Sequence, residues 1–242
     1  MQQSTWFISD LHLDAKRPHI VQAFMQFLGG IHGKADSLYV LGDLFEYWIG
    51  DDIVDTPAGQ IVKPLLGGLR QLADSGTQLY FTHGNRDFLV GERFSEMTGC
   101  ELLPEKKVID LYGTPTLVMH GDTLCTDDVE YQELRKMFYD EGKRAQFLSL
   151  SFEQRVAEAD RIRQMSQEKM KEKSSEIMDV NQQAVEQTMQ EAGVQQLIHG
   201  HTHRPAIHEF VLAGAPAKRI VLGDWYEQMS CLEVNADTLR LS

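Results

Sequence analysis

Six times along the chain, a short apolar run rich in aromatic and β-branched residues stops at a small cluster of Asp, Asn or His, usually beside Gly. The runs are "TWFISDLH", ending at Asp10 and His12; "SLYVLGD" at Asp43; "QLYFTHGNRD" at Asn85; "TLVMHGD" at His120; "QQLIHGHTH" at His199, His201 and His203; and "RIVLGDW" at Asp224. Read as buried strands, they place polar groups at strand C-terminal ends, which is where open α/β sheets build their sites. Between them lie helical patterns, over 18–29 with Ile20, Val21, Phe24, Phe27 and Leu28 on one side, and over 59–75 with Ile61, Leu65, Leu66, Leu69 and Leu72. Strand and helix alternate, so the spacing predicts an α/β fold.

From 126 to 192 the rhythm changes to a charge-rich stretch with helical spacing and no proline. It reads as a helical insertion within one domain, whose core is 1–125 and 193–242; solvated packing helices and a substrate cap both fit that spacing. The net charge of -13 argues against non-specific nucleic-acid binding, because duplex binding needs Lys and Arg to displace counterions. It does not exclude a phosphate substrate held through divalent cations. Cys100, Cys125 and Cys231 are widely spaced, odd in number and form no C-x-x-C, so neither a disulfide framework nor a thiolate zinc site is expected, and a reducing cytosol is. The N-terminus shows no signal-peptide pattern and no apolar stretch reaches the length of a membrane span, so any membrane contact is expected to be peripheral.

The polar clusters offer carboxylate and imidazole together. Asp10 and His12 alternate across one residue, Asp43 could bridge, Asn85 adds a neutral oxygen, and His120, His201 and His203 add nitrogens. Manganese, iron and zinc are held by such mixtures, and two ions sit about 3.5–4 Å apart when a carboxylate oxygen bridges them. A single histidine is more often a packing or surface residue. The joint order D-x-H, GD, GN, HGD, GH-x-H, each after a strand, is what points to a metal centre. In "LIHGHTHRP" a continuous strand would put all three histidines on one face; Gly200 and Thr202 suggest that the strand gives way to a tight loop.

This order resembles that of the calcineurin-like metallophosphoesterases over essentially the whole scaffold. The resemblance implies a two-layered mixed β sandwich flanked by helices, rather than a simple doubly wound sheet. The longer strings "ISDLHLD", "LGDLFEYWIGDD", "HGNRDFL", "MHGDTLCTDD", "IMDVNQ" and "IHGHTHRP" are similar to the branch of that family that serves lipid A assembly in Gram-negative bacteria. That likeness implies hydrolysis of the pyrophosphate of UDP-2,3-diacylglucosamine to UMP and 2,3-diacylglucosamine 1-phosphate. It further implies two manganese ions per subunit and a peripheral protein, expected as a monomer, on the cytoplasmic side of the inner membrane.

By position, the resemblance assigns Asp10, His12 and His203 to one ion and Asn85, His120 and His201 to the other, with Asp43 bridging, and a metal-activated hydroxide attacking the α-phosphorus. Asp43, Asn85, Arg86, His120 and His201 would then be catalytic. Substrate contacts would fall to Asn85, Arg86, Asp128, Ser166, Met170, Lys173 and His201, with Met170 standing where relatives often carry a polar residue. His199 is left as a supporting residue.

Many members of the superfamily read "GNH" where this chain reads "GNRD". Arg86 cannot serve as a general acid near neutral pH. A sugar 1-phosphate leaving group needs charge stabilisation more than a proton, which a guanidinium fork supplies, so the substitution favours pyrophosphate cleavage over phosphomonoester hydrolysis. The competing reading is a surface arginine paired with Asp87 or Asp51.

The insertion is expected to offer an apolar groove for the acyl chains, each buried CH₂ contributing about 0.8 kcal/mol. It is also expected to carry a basic face using Arg135, Lys136, Lys143, Arg144, Arg161, Arg163 and Lys169, suited to anionic lipid. Asp122 is placed to orient His120, Asp87 and Asp14 to act structurally, and the aromatics of "FEYW" and "GDWYE" to fill the core, with one free to stack on uracil. The rival readings are another metallophosphoesterase, such as a nucleotide phosphodiesterase or nuclease, and a non-catalytic interaction module on the same scaffold.

Overall fold

In the computed structural model the backbone is described for residues 4–172, 177 and 179–242, and the side chains for the same residues except 166–172. The strands are β1 (Ser4–Ile8), β2 (Ala35–Val40), β3 (Gln78–Phe81), β4 (Cys100–Leu102), β5 (Lys106–Leu111), β6 (Thr114–Met119), β7 (Gln196–His199), β8 (Ala206–Leu212), β9 (Ala215–Val221), β10 (Leu232–Val234) and β11 (Leu239–Leu241). The helices are α1 (Pro18–Ile31), α2 (Gly59–Asp74), α3 (Glu92–Thr98), α4 (Val129–Tyr139), α5 (Glu141–Leu148), α6 (Phe152–Glu172) and α7 (Gln182–Ala192).

All six apolar runs are strands: β1, β2, β3, β6, β7 and β9. They form the parallel centres of two mixed sheets, ordered β11-β10-β1-β2-β3-β4 and β5-β6-β7-β9-β8. Antiparallel arms close the edges: β10 and β11 beside β1, β5 beside β6, and β8 beside β9. Phe7, Tyr39, Leu41, Val118, Ile198, Ile220 and Leu232 meet in one buried cluster between the sheets. Phe7, Tyr39 and Tyr80 stack within it at centroid spacings of 5.0 and 4.5 Å.

Alternation along each strand sends the next residue outward. Ile8, Leu38 and Phe81 therefore join Ile20, Phe24, Leu65, Leu66 and Leu69 of α1 and α2 in a second cluster. On the far side, Leu117, Met119 and Leu197 pack with Val185 and Met189 of α7. The layering is the expected sandwich with flanking helices. One helical position differs: Ile61 is 40% exposed and Val62 takes its place in the core, a one-residue step that turns a helix face by about 100°.

The stretch 126–192 carries α4 to α7, and three of these helices begin with side-chain caps: Asp128 accepts from Tyr131 N (3.0 Å), Asp140 from Lys143 N (2.9 Å) and Asn181 from Gln183 N (2.9 Å). Its parts behave differently. α7 packs on the second sheet, whereas α4 and α5 bury no residue. Polar tethers fix the latter region: Arg135 Nε donates to Asp122 (2.6 Å), Arg144 to the Phe88 carbonyl (3.2 Å), and the buried Arg155 to Asp52 (2.9 Å) and the Ile49 carbonyl.

These tethers correct the expectation of a basic face. Arg135 pairs with Asp122 and Glu105, Lys136 with Glu133, Arg161 with Glu158, and Arg163 with Asp160 and Glu46. The charge of these four is neutralised locally, Arg144 donates to the Phe88 carbonyl, Lys143 is exposed, and the Lys169 side chain lies outside the described residues. Among its exposed residues this region carries the large apolar side chains Val129, Met137, Leu148, Leu150 and Met165.

The loops after β2 and β3 are tied by one buried carboxylate. Asp87 accepts from the backbone N–H groups of Leu44 (2.8 Å), Gly84 (2.9 Å) and Asp43 (3.2 Å) and is fully buried. It therefore acts structurally, as the sequence suggests, and makes no pair with Arg86. Orphaning buried donors costs about 1–3 kcal/mol each, so Asp87→Ala is expected to lower stability by roughly 3 kcal/mol or more. Urea unfolding monitored by circular dichroism measures this; a loss below about 1 kcal/mol would show that the loops hold without it.

Candidate metal centre

Because β1, β2 and β3 run parallel in near-level register, as do β6, β7 and β9, the residues that follow them emerge at one edge of the sandwich. Backbone pairing continues past the strand ends, with Asp10 N donating to Gly42 O (3.1 Å) and His12 N to Asp43 O (3.0 Å). Beyond that point the chain leaves extended geometry. Seven non-glycine residues have positive φ among the described residues, and five of them are Asp10, His12, Asp43, His201 and His203. Asp and His are among the residues that tolerate this region best. Each turn swings a donor atom off its strand line and into a common space.

That space has two halves. In one, His12 Nε2 lies 3.2 Å from His203 Nε2, which is 3.4 Å from Asp10 Oδ1. In the other, His120 Nε2 lies 3.1 Å from Asn85 Oδ1 and 3.2 Å from His201 Nδ1, and Asn85 Oδ1 is 3.0 Å from His201 Nδ1. Asp43 Oδ2 stands between them, 3.9 Å from His12 Nε2 and 3.8 Å from His120 Nε2. Its other oxygen accepts from Arg86 N (2.8 Å). The ligand atoms of Asp10, His12 and His203, and of Asp10, Asp43 and His120, fall close enough to hold an ion. All seven residues expected from the sequence are thus brought together, and Asp10 borders both halves.

The donor chemistry fits divalent cations. His203 Nδ1 faces Asp224 Oδ2 at 3.0 Å, and His120 Nδ1 faces the Leu41 carbonyl at 2.8 Å. Each outer nitrogen therefore carries the proton, and each Nε2 presents a lone pair inward. Lone pairs on imidazole, amide and carboxylate converge with almost nothing to donate to them, and Asp10 Oδ1 and His12 Nδ1 are buried without a hydrogen-bond partner. A divalent cation balances such a set.

The ionisation pattern reflects the same crowding. Burial pushes Asp43 up to about 7. Burial also opposes ionisation of Asp10, but the adjacent His203, His120 and His12 imidazoles hold it below the usual carboxylate range. Burial resists a charged His120, yet Asp43 and Asp10 outweigh it and raise that histidine to about 9. Burial takes His12 down to about 3, and burial with the neighbouring His120 takes His201 down to about 4.

Asp10, His12, Asp43 and His120 form a buried floor, while Asn85, Arg86, His201 and His203 are half-buried at the rim. The Arg86 guanidinium has no carboxylate partner among the described residues; Asp51 instead accepts from Trp48 Nε1, Gly91 N and Arg93 N. Asp128 caps α4 through Oδ1. Ser166 and Met170 lie on α6 with side chains outside the described residues, and Lys173 lies outside them altogether.

The expectation for Asp122 is corrected. The Leu41 carbonyl orients His120, and Asp122 instead accepts from Tyr131 Oη (2.9 Å) and Arg135. Phe45, Trp48 and Trp225 are core, whereas Tyr226 is exposed and stacks on His12 at 5.6 Å. Four further residues neighbour the cluster: Glu46, 3.8 Å from His12 Nδ1; Arg17, paired with Glu46; Tyr131, 5.7 Å from the His201 ring; and Asp224. Only Asp224 was signalled, by ending the sixth apolar run.

Comparison with known proteins agrees with this geometry. The family described as calcineurin-like phosphoesterase matches residues 4–205. Proteins named UDP-2,3-diacylglucosamine hydrolase from Escherichia coli O17:K52:H18 (strain UMN026 / ExPEC) and Serratia proteamaculans (strain 568) are each 48% identical over 238 residues, covering 98% of this chain and 98% of theirs. Among solved structures, Vacuolar Protein Sorting 29 from Cryptosporidium parvum superposes with a TM-score of 0.50 at 13% identity, covering 99% of this chain and 89% of that one, a likeness of fold alone.

Metal ligands must be deprotonated to bind. Protons on Asp43 (about 7) and His120 (about 9) therefore compete with the cation. Apparent affinity for divalent metal is expected to climb as pH rises through these values, with protons released on binding. Isothermal titration in buffers of different ionisation enthalpy measures both; affinity independent of pH between about 6 and 9 would contradict the assignment.

Proposed function

The chain belongs to the calcineurin-like phosphoesterase family, and from that premise we propose that it hydrolyses the pyrophosphate of UDP-2,3-diacylglucosamine, giving UMP and 2,3-diacylglucosamine 1-phosphate for lipid A synthesis. The observation that carries this reading is end-to-end identity of 48% to hydrolases named for that substrate. The convergent donor set supports it. We further propose manganese as the metal, two ions per subunit, because the donors fall into two halves sharing Asp43.

When bound, such ions supply Lewis-acid charge at phosphoryl oxygens and lower the pKa of water. The chain's own residues do the rest. Asp43 and Asp10 fix the floor, and the outward hydrogen bonds of His120 and His203 lock their rings. Asn85, Arg86 and His201 line the rim, where a diphosphate would lie. Arg86 meets the charge that gathers on the departing sugar phosphate and gives up no proton. Water attacking the α-phosphorus in line places the new oxygen on UMP and expels the sugar 1-phosphate.

The exposed Val129, Met137, Leu148, Leu150 and Met165 of α4–α6 and the following turns suit a substrate with two acyl chains. They support peripheral association with the cytoplasmic face of the inner membrane through apolar contact.

Turnover of UDP-2,3-diacylglucosamine with manganese in ¹⁸O-labelled water is expected to put the label in UMP; label confined to the sugar phosphate would reverse the direction of attack, and absence of turnover would remove the substrate assignment. Arg86→Gln is expected to lower kcat by about 100-fold or more, the scale of losing one transition-state donor, while leaving metal affinity unchanged. Near-wild-type kcat would take Arg86 out of the reaction.

A further inference from the structure

His199 is fully buried and lies two residues before His201, yet it points away from the donor cluster. Its Nε2 is 3.2 Å from Arg219 Nη1. A guanidinium only donates, so Nε2 accepts and the ring proton resides on Nδ1. Nδ1–H then donates to Gly200 O at 2.8 Å. The same carbonyl accepts from Thr202 N at 2.9 Å, which closes the turn carrying His201 and His203. There is no slack on the opposite side. A Cβ at Gly200 would fall 2.3 Å from Asp10 Oδ2, and His201 N donates to that oxygen at 2.8 Å. The His199 ring is itself wedged against Gly121, where a Cβ would lie 2.7 Å from its Nδ1.

We propose that Arg219 and His199 form a positioning relay in which Arg219 sets the His199 tautomer, and His199 clamps the Gly200 carbonyl so that His201 and His203 meet their respective ions. Arg219 is 7% exposed and reaches His199 from β9, the strand beside β7. The relay therefore links β9 to β7 within the second sheet and includes none of the donor atoms. It acts on both ion sites at once, because the single turn it holds delivers one ligand to each. The inference rests on the two-ion reading of the site, and the test separates the two.

Manganese alone is titrated calorimetrically into the full-length wild type, His199→Leu, His199→Asn and Arg219→Met, with unfolding curves recorded for each. His199→Leu, which loses both hydrogen bonds, is expected to weaken manganese binding by about 10- to 100-fold. His199→Asn places an amide N–H near the Nδ1 position and is expected to recover most of that affinity. Arg219→Met, which frees the tautomer but keeps the ring, is expected to fall between wild type and His199→Leu. With substrate, the loss is expected in kcat rather than KM, and excess manganese should restore part of it. Wild-type manganese affinity in folded His199→Leu and Arg219→Met overturns the relay while leaving the ion sites intact. Equal weakening in the Leu and Asn variants also overturns it, since packing alone would then explain the effect. A wild type that binds no manganese removes the two-ion reading and the relay with it.

Discussion

Each half of the donor cluster draws on both sheets. Asp10 and His12 leave β1 and Asn85 leaves β3 in the first sheet, while His120 leaves β6 and His201 and His203 leave β7 in the second. Asp43, from β2, faces both halves. The site therefore exists only where the sheets are in register across the Phe7–Tyr39–Ile198–Ile220 layer. Packing between two apolar faces sets the spacing of charged atoms that never enter that layer. Interiors pack too densely for one sheet to slide freely on the other, so the apolar layer keeps atoms from strands as distant as β1 and β7 within hydrogen-bond range.

Local backbone strain is the second ingredient. Five donor residues adopt left-handed φ, at a cost of roughly 1–2 kcal/mol each for an L-residue. Asp87 gathers the backbone N–H groups of the β2 and β3 loops, and the Gly200 turn is pressed against Asp10. Those contacts hold the strained turns in place. Burial raises the Asp43 pKa, whereas around Asp10 the neighbouring imidazoles outweigh burial and lower it.

The six central strands and the seven donor residues could be read from the chain, because each strand carries its own burial signal and ends in its own polar cluster. β4, β10 and β11 have three residues apiece, too few for a periodic signal, and β5 and β8 are mostly exposed hairpin arms. Glu46, Arg17 and Tyr131 act through neighbours distant in sequence, which spacing cannot show. The partner of His120 is a backbone carbonyl, invisible in any motif; Asp122 looked right only because it is two residues away. Much of the expected basic face is paired for a local reason: Lys136, Arg161 and Arg163 each follow an acid by three residues, and on a helix those charges are neighbours.

α4 and α5 bury no side chain, and Arg135, Arg144 and the Arg155 of α6 tie the region to the core through carboxylates and carbonyls. Phe138 and Tyr139 also pack on Phe88, and Phe147 and Phe152 pack against the first core cluster, so the attachment is both polar and aromatic and leaves the outward apolar residues outside it. Their outward apolar residues can change in size and shape over generations with little consequence for the fold beneath. The chemistry at the sheet edge and the fit to a lipid tail are thereby free to evolve at different rates.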